Sequence, residues 1–465
     1  MKNPIYKDIT EEQKASNSYA AMVSGQTIVE IPEFELECKE TLLDFPVAYK
    51  TWGRLNASRD NVILICHALT GSSDVKDWWG PLLGTGLTFD PSRFFIICIN
   101  FLGSPYGSCS PATVEKATGK PYGPQFPLVT VKDDIGVQRL ILDSLGVKSI
   151  ACVIGGSMGG MAAMEYSSTY NGTGYVRSVI ALATSARASA WCISWNETQR
   201  QCIFSDPNYD DGYYYETEGL RPDSGLSAAR MAALLTYRLR NSFETRFGRK
   251  LPTTKSGSSI TSSGLLDIRL PKNRDEEKWL AHNDGSRLFR NSSQNLTQDK
   301  PQTYFTAQSY LRYQGEKFVS RFDANCYISI SRKLDTHDIT RGRVECDANQ
   351  DDPLPAYLET LQLPHLIIGI SSDGLFTYGE QQLLGAHIPK NVLKKLDSPE
   401  GHDAFLLDFE IIDAYCREFL KEQLPEFYDN SGKVEVFENW EDYVVLIENG
   451  GNSVFGEAES NITNW

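Results

Sequence analysis

The chain has 465 residues, of which 41% are hydrophobic, and its 60 acidic against 45 basic side chains give a formal net charge of −15. That balance sets aside nucleic acid and anionic membrane surfaces as partners, because phosphate binding needs a basic face. No run reaches the roughly 18 apolar residues a bilayer span needs, and the length suits one large core or two domains.

The N-terminal stretch M-K-N-P-I-Y-K-D-I-T-E-E-Q-K has no apolar segment of signal-peptide type, so a cytoplasmic location is expected. Of ten cysteines, Cys66, Cys98 and Cys152 fall inside apolar strand patterns and none form C-x-x-C, which reads as reduced core thiols. No His/Cys cluster has zinc spacing and no glycine-rich nucleotide loop follows a strand, so neither a metal nor a bound cofactor is expected.

In chain order, apolar runs predict strands at Val47–Thr51, Val62–Cys66, Phe94–Ile99, Ile150–Ile154 and Ser178–Ala183. Between them Thr130–Leu145 has helical spacing, with Asp133 and Asp134 in its favourable first turn. Strand patterns stop after Ala190; helical ones follow at Ser227–Arg240 and Tyr304–Phe318, around a polar stretch at Lys250–Lys300 read as an insertion outside the core. Strands resume at Pro364–Ile370 and Leu393–Leu396, and Phe405–Leu424 fits a last helix. The acidic end, Pro425–Trp465, holds a strand-like Tyr443–Ile447 with no assigned role. Alternating strands and helices imply an α/β fold with a mostly parallel, doubly wound sheet. Its core would comprise residues 1–190 and 350–465, with a helical lid at 191–349.

The chemistry concentrates in Ile150–Tyr166, where a buried strand ends in Gly155-Gly156-Ser157-Met158-Gly159 and a small-residue helix starts at once. G-x-S-x-G between strand and helix is a nucleophile elbow, a strained turn that lifts a serine hydroxyl above a parallel sheet. A serine hydroxyl is a poor nucleophile near neutral pH and needs a base, which needs an orienting acid. Six histidines keep the search short. His67 and His282 precede the expected position or fall in the insertion, His337 lies in the lid, His365 begins a strand and His387 sits near a helix end. His402, in the D-S-P-E-G-H-D loop after Leu393–Leu396, has the right placement for the general base. Asp373, in the turn after Leu366–Ile370, is the candidate acid; Asp397, still within strand, and Asp408, within a helix pattern, stay open. An oxyanion hole needs two backbone N–H groups: Met158 after the nucleophile, and Leu69 in the loop following Val62–Cys66, where His67 reads as structural.

A triad licenses acyl transfer without saying what accepts the acyl group. The chain resembles the homoserine O-acetyltransferases of the α/β-hydrolase superfamily, in their longer eukaryotic form. The resemblance runs nearly end to end: A-Y-K-T-W-G at 48–53, N-V-I-L-I-C-H-A-L-T-G-S at 61–72, I-G-G-S-M-G-G at 154–160 and W-N-E-T-Q-R at 195–200. It continues with G-L-S-A-A-R-M at 225–231, R-F-D-A-N-C-Y at 321–327 and S-P-E-G-H-D-A-F-L-L at 398–407. The resemblance implies ping-pong transfer from acetyl-CoA, a co-substrate rather than a bound cofactor, through an acetyl-Ser157 to the hydroxyl of L-homoserine, a step toward methionine. It also implies a homodimer and amino-acid recognition by Arg230, Tyr237 and Asp403. A guanidinium among the small and apolar neighbours of Arg230 suits a substrate carboxylate, and Asp403 suits the ammonium. Structural salt bridges are the plain alternative for both. An L-serine O-acetyltransferase, a homoserine O-succinyltransferase and a serine esterase share the triad; the one methylene between serine and homoserine is worth about 1–3 kcal/mol.

Overall fold

A computed structural model describes residues 5–250, 273–275, 278, 282, 305–344 and 352–429. Nine strands form one sheet: β1 (Lys7–Asp8), β2 (Thr27–Glu35), β3 (Thr41–Trp52), β4 (Val62–Cys66), β5 (Phe95–Ile99), β6 (Ile150–Gly156), β7 (Val179–Leu182), β8 (His365–Ile370) and β9 (Asn391–Leu396). Their order is β1-β2-β3-β5-β4-β6-β7-β8-β9. From β5 to β9 every neighbouring pair is parallel, while β1, β2 and β3 extend the sheet by antiparallel pairing.

The central strands are buried along their whole length, as expected where both faces are covered. Alternate residues take opposite faces. Leu64, Ile97 and Val153 pack with Ile135 and Ile141 of α1 (Val131–Ser144) and with Met161 and Tyr166 of α2 (Met158–Thr169). Ile63, Ile65, Ile96 and Ile154 pack in the cluster that holds Phe405, Ile412, Phe419 and Leu420. Thr130 and Asp133 close a capping box at the start of α1. Asp134, in the same first turn, is fully buried against Lys333 Nζ at 2.5 Å.

After β7 come α3 (Ala190–Phe204), α4 (Asp223–Tyr237), α5 (Thr306–Val319) and α6 (Ala324–Asp335); α7 (Tyr378–His387) and α8 (Phe409–Gln423) follow β8 and β9. The described chain divides into two compact units, Met1–Leu239 with Gly315–Trp465, and Arg240–Gln314. Within the second, Phe243 and Phe247 pack on the Tyr310 ring, and the Thr306 amide donates to the Lys250 carbonyl.

Three expectations from sequence need correction. The hairpin β2–β3 stands where only Val47–Thr51 was expected. The last helix is broken at Asp408, whose backbone (φ −91°, ψ 54°) leaves the helical region, so Ala404–Leu407 and α8 are separate. The strand before the His402 loop ends at Leu396, so Asp397 lies beyond it, exposed beside Lys395. Nearly all of the polar stretch at 250–300, and the strand-like 443–447, fall outside the described residues. Among the described residues no disulfide forms and no helix is long and apolar enough to cross a membrane.

Candidate active site

Parallel pairing of β4 with β6 sets Cys66 opposite Gly155, so the loop starting at His67 and the turn at Gly156-Ser157 leave the sheet side by side. Helix α2 then begins against the end of β4: a Cβ on Gly159 would lie 2.0 Å from the Cys66 carbonyl oxygen, so only glycine fits. Ser157 itself takes φ +59° and ψ −124°, a conformation that costs a non-glycine residue on the order of 1–3 kcal/mol. It is held there by its N–H donating to Leu182 O (3.0 Å) and by the Thr184 hydroxyl donating to its carbonyl (2.8 Å).

The loops after β8 and β9 bring the partners. Asp373 Oδ1 accepts from the amides of Leu375 (2.8 Å) and Phe376 (3.0 Å), which fixes the carboxylate plane. Its Oδ2 lies 2.6 Å from His402 Nδ1, and His402 Nε2 lies 2.9 Å from Ser157 Oγ. The carboxylate thus holds the proton on Nδ1 and leaves Nε2 to accept from the serine. Ser372 ties the two loops: its hydroxyl donates to Ser398 O (2.5 Å) and accepts from the Gly401 amide (3.2 Å).

The imidazole is boxed by the rings of Phe376, Phe405 and Tyr237, with centroids 5.4, 5.3 and 5.9 Å away. Burial pulls the His402 pKa down, but the charge and hydrogen bond of Asp373, with the charge of Asp403, outweigh it and leave the group above the ordinary histidine value. Asp408, between the two short-range helical segments, and the exposed Asp397 are not the carboxylate on Nδ1.

Met158 is the first residue of α2, and Leu69 is half-buried in the loop after β4. His67 braces that loop: its Nδ1 meets Ala68 O at 2.8 Å and its Nε2 accepts the Phe101 amide at 3.1 Å. Arg230, 7% exposed on α4, lies over Phe318 (4.9 Å to the centroid) and Tyr237 (5.7 Å). Asp403 makes the structural salt bridge that stood as its plain alternative, with Oδ2 2.8 Å from Arg238 Nε, a partner the sequence did not single out. Arg238, Glu400, Ser372 and the two phenylalanines around His402 went unsingled from sequence; the charges packed into the D-S-P-E-G-H-D loop were the one available signal. Among the described residues no group of three or more His, Cys, Asp or Glu could hold a metal ion.

The sheet and its serine turn define a class, and residues 61–409 match the family model of that class, the alpha/beta hydrolase fold. Over 98% of its length the chain is 52% identical to the homoserine O-acetyltransferase of Saccharomyces cerevisiae, 97% of which is covered. The chain belongs to the homoserine O-acetyltransferase family. Among solved structures, the homoserine O-acetyltransferase of Bacillus anthracis superposes with a TM-score of 0.66 at 21% identity, covering 89% of this chain and 99% of that one. An acetylester hydrolase from Corynebacterium glutamicum gives 0.64 at 22%, covering 89% and 99%. At these identities the superpositions establish the shared fold.

Proposed function

We propose that the protein transfers the acetyl group of acetyl-CoA to the side-chain hydroxyl of L-homoserine, giving O-acetyl-L-homoserine and CoA in the methionine route. Ser157 Oγ attacks the thioester carbonyl as His402 Nε2 takes its proton. The developing oxyanion is met by the N–H groups of Met158 and Leu69. Collapse expels the CoA sulfur, which leaves with the proton from His402, and an acetyl-serine remains. The homoserine hydroxyl then gives its proton to His402 Nε2 and attacks the acetyl carbonyl; the adduct collapses by breaking the bond to Ser157 Oγ, which takes the proton back from His402.

Arg230 pairs with the substrate carboxylate, Tyr237 lines the same pocket, and Asp403 faces the ammonium. Residues 191–349 serve as a helical lid over a core of residues 1–190 and 350–465, keeping water from the acetyl-serine. The working form is a cytoplasmic homodimer, and the reaction as written calls for no metal or prosthetic group.

The observation that carries this reading is the hydrogen-bonded chain Ser157–His402–Asp373 in a protein so similar, over nearly its whole length, to a homoserine O-acetyltransferase. The fold shared with an acetylester hydrolase keeps one competitor, hydrolysis of the acyl-enzyme. Following CoA release from acetyl-CoA with homoserine, L-serine or no acceptor decides. Sustained release only with homoserine is expected; equal release without acceptor means an esterase. Turnover of succinyl-CoA in place of acetyl-CoA would reassign the donor.

A further inference from the structure

Helix α4, which carries Arg230 and Tyr237, ends at Tyr237, and Arg238 follows in extended conformation (φ −102°, ψ 141°). Its side chain is 6% exposed and forks between two carboxylates. Nη1 donates to Glu400 Oε2 at 2.7 Å and Nε lies 2.8 Å from Asp403 Oδ2. Those carboxylates sit on either side of Gly401-His402: Glu400 is the N-cap residue of the short turn Gly401–Asp403 and Asp403 is its last residue.

The turn rests directly on the end of α4. Gly401 has φ +69°, and a Cβ there would come 2.6 Å from Tyr237 O and 2.9 Å from Leu239 N. Two elements that the reaction must keep in register, the amino-acid-binding helix and the general-base turn, therefore meet backbone to backbone. One guanidinium is pinned across the seam.

We propose that Arg238 is a positioning residue of this site: it holds the His402 turn against the end of α4, aims the Asp403 carboxylate, and offsets the negative charge of Glu400 and Asp403 beside the imidazole. The inference rests on the acyl-transfer reading above. Arg suits the place better than Lys, because a planar guanidinium presents separate N–H groups toward two carboxylates where an ammonium is a single point charge. Buried carboxylates stripped of their cation are costly and act on whatever ionises next to them. Asp403 then has two tasks, pairing with Arg238 through Oδ2 and receiving the substrate ammonium.

The groups around His402 make the electrostatic consequence specific. Asp373 faces Nδ1 from the loop after β8, Ser157 faces Nε2 from the elbow, and Tyr237, lying under Arg230, faces the ring from α4. Phe376 and Phe405 bring no charge, and Asp403 and Glu400 belong to the turn itself. Asp403 already favours the protonated imidazole. Removing Arg238 strengthens that pull, so the base is neutral only at higher pH. Removing Glu400 instead takes one negative charge from the turn and turns Arg238 more fully toward Asp403, which weakens the pull and also competes with the ammonium.

The test is the pH profile of kcat/KM for homoserine in Arg238→Gln, Arg238→Lys, Glu400→Gln and the Arg238→Gln/Glu400→Gln double variant. The acidic limb moves up by roughly one unit in Arg238→Gln, down in Glu400→Gln, and returns toward the wild-type position in the double variant. Arg238→Lys keeps the limb near its place but raises KM for homoserine more than it lowers kcat. If Arg238→Gln does not fold, Glu400→Gln and Arg238→Lys carry the test. Limbs that stay together or move the same way in both single variants, with KM unchanged, overturn the proposal. A wild-type enzyme that forms no acetyl-Ser157 would instead overturn the acyl-transfer reading, which separates the two failures.

Discussion

Replacing Asp373 by asparagine probes how much of the serine's reactivity is set by one carboxylate. The fold should tolerate the change. An asparagine Oδ1 can still accept from the amides of Leu375 and Phe376, now 2.8 and 3.0 Å from Asp373 Oδ1, so the loop keeps its anchors. What changes is the other end. In place of Oδ2, 2.6 Å from His402 Nδ1, an amide NH2 would face the ring, so Nδ1 must accept and the single proton moves to Nε2. Nε2 can then no longer take the proton of Ser157, 2.9 Å away. A wrong tautomer of this kind lowers kcat by about four orders of magnitude, close to 5.5 kcal/mol of transition-state stabilisation at about 1.36 kcal/mol per decade. The assay is CoA release at saturating homoserine, with thermal unfolding as the control for folding. The acidic limb of whatever activity remains should also move down, because the charge that raised the His402 pKa is gone. A variant that unfolds like wild type yet keeps more than about a tenth of its kcat would refute the assignment.

The wild-type pH profile follows from the same charges: His402 must be neutral to act as base and its pKa stands above the usual 6.5, so kcat/KM reaches half its plateau above pH 6.5. A half-point below that value would contradict it. Gly159→Ala drives a Cβ to 2.0 Å from the Cys66 carbonyl oxygen; overpacking against backbone should cost about 3 kcal/mol or more, seen as a lower urea midpoint, and an unchanged midpoint would show that the elbow can yield. His365, fully buried with its ring nitrogens on Leu363 O and Ser167 Oγ, has its pKa pushed down from 6.5 to about 4 by burial, which the Leu363 hydrogen bond only partly opposes. The unfolded chain therefore binds the proton first. Stability from this group is complete above pH 6.5 and is lost as pH falls through about 4. Across that window His365→Gln should lose on the order of 3 kcal/mol less than wild type in chemical denaturation; parallel losses would rule this out.

Which features were legible from sequence follows from range. Strands β4 to β8 were visible because both faces are buried and the sequence shows unbroken apolar runs, as in Val62–Cys66. The β2 strand, T-I-V-E-I-P-E-F-E, hid because its second half is exposed at Glu33 and Glu35, Glu30 is a half-buried charge, and Pro32 interrupts the pattern. The break at Asp408 lies inside a continuous helical periodicity, and only backbone angles reveal it. At the site, Ser157 announced itself through local glycines and His402 through scarcity. The fork of Arg238 joins positions 162 residues apart, and the Lys333–Asp134 pair joins positions 199 apart. Neither leaves a local mark. Long-range ion pairs need the fold before they can be seen.

The central claim is that Ser157 carries the acetyl group between donor and acceptor. Intact mass and peptide mapping after brief exposure to acetyl-CoA, with no acceptor present, test it most directly. One acetyl group should appear on the peptide holding Ser157, vanish when homoserine is added, and never form in Ser157→Ala. An acetyl group on any other residue, or turnover that proceeds in Ser157→Ala, would contradict the account.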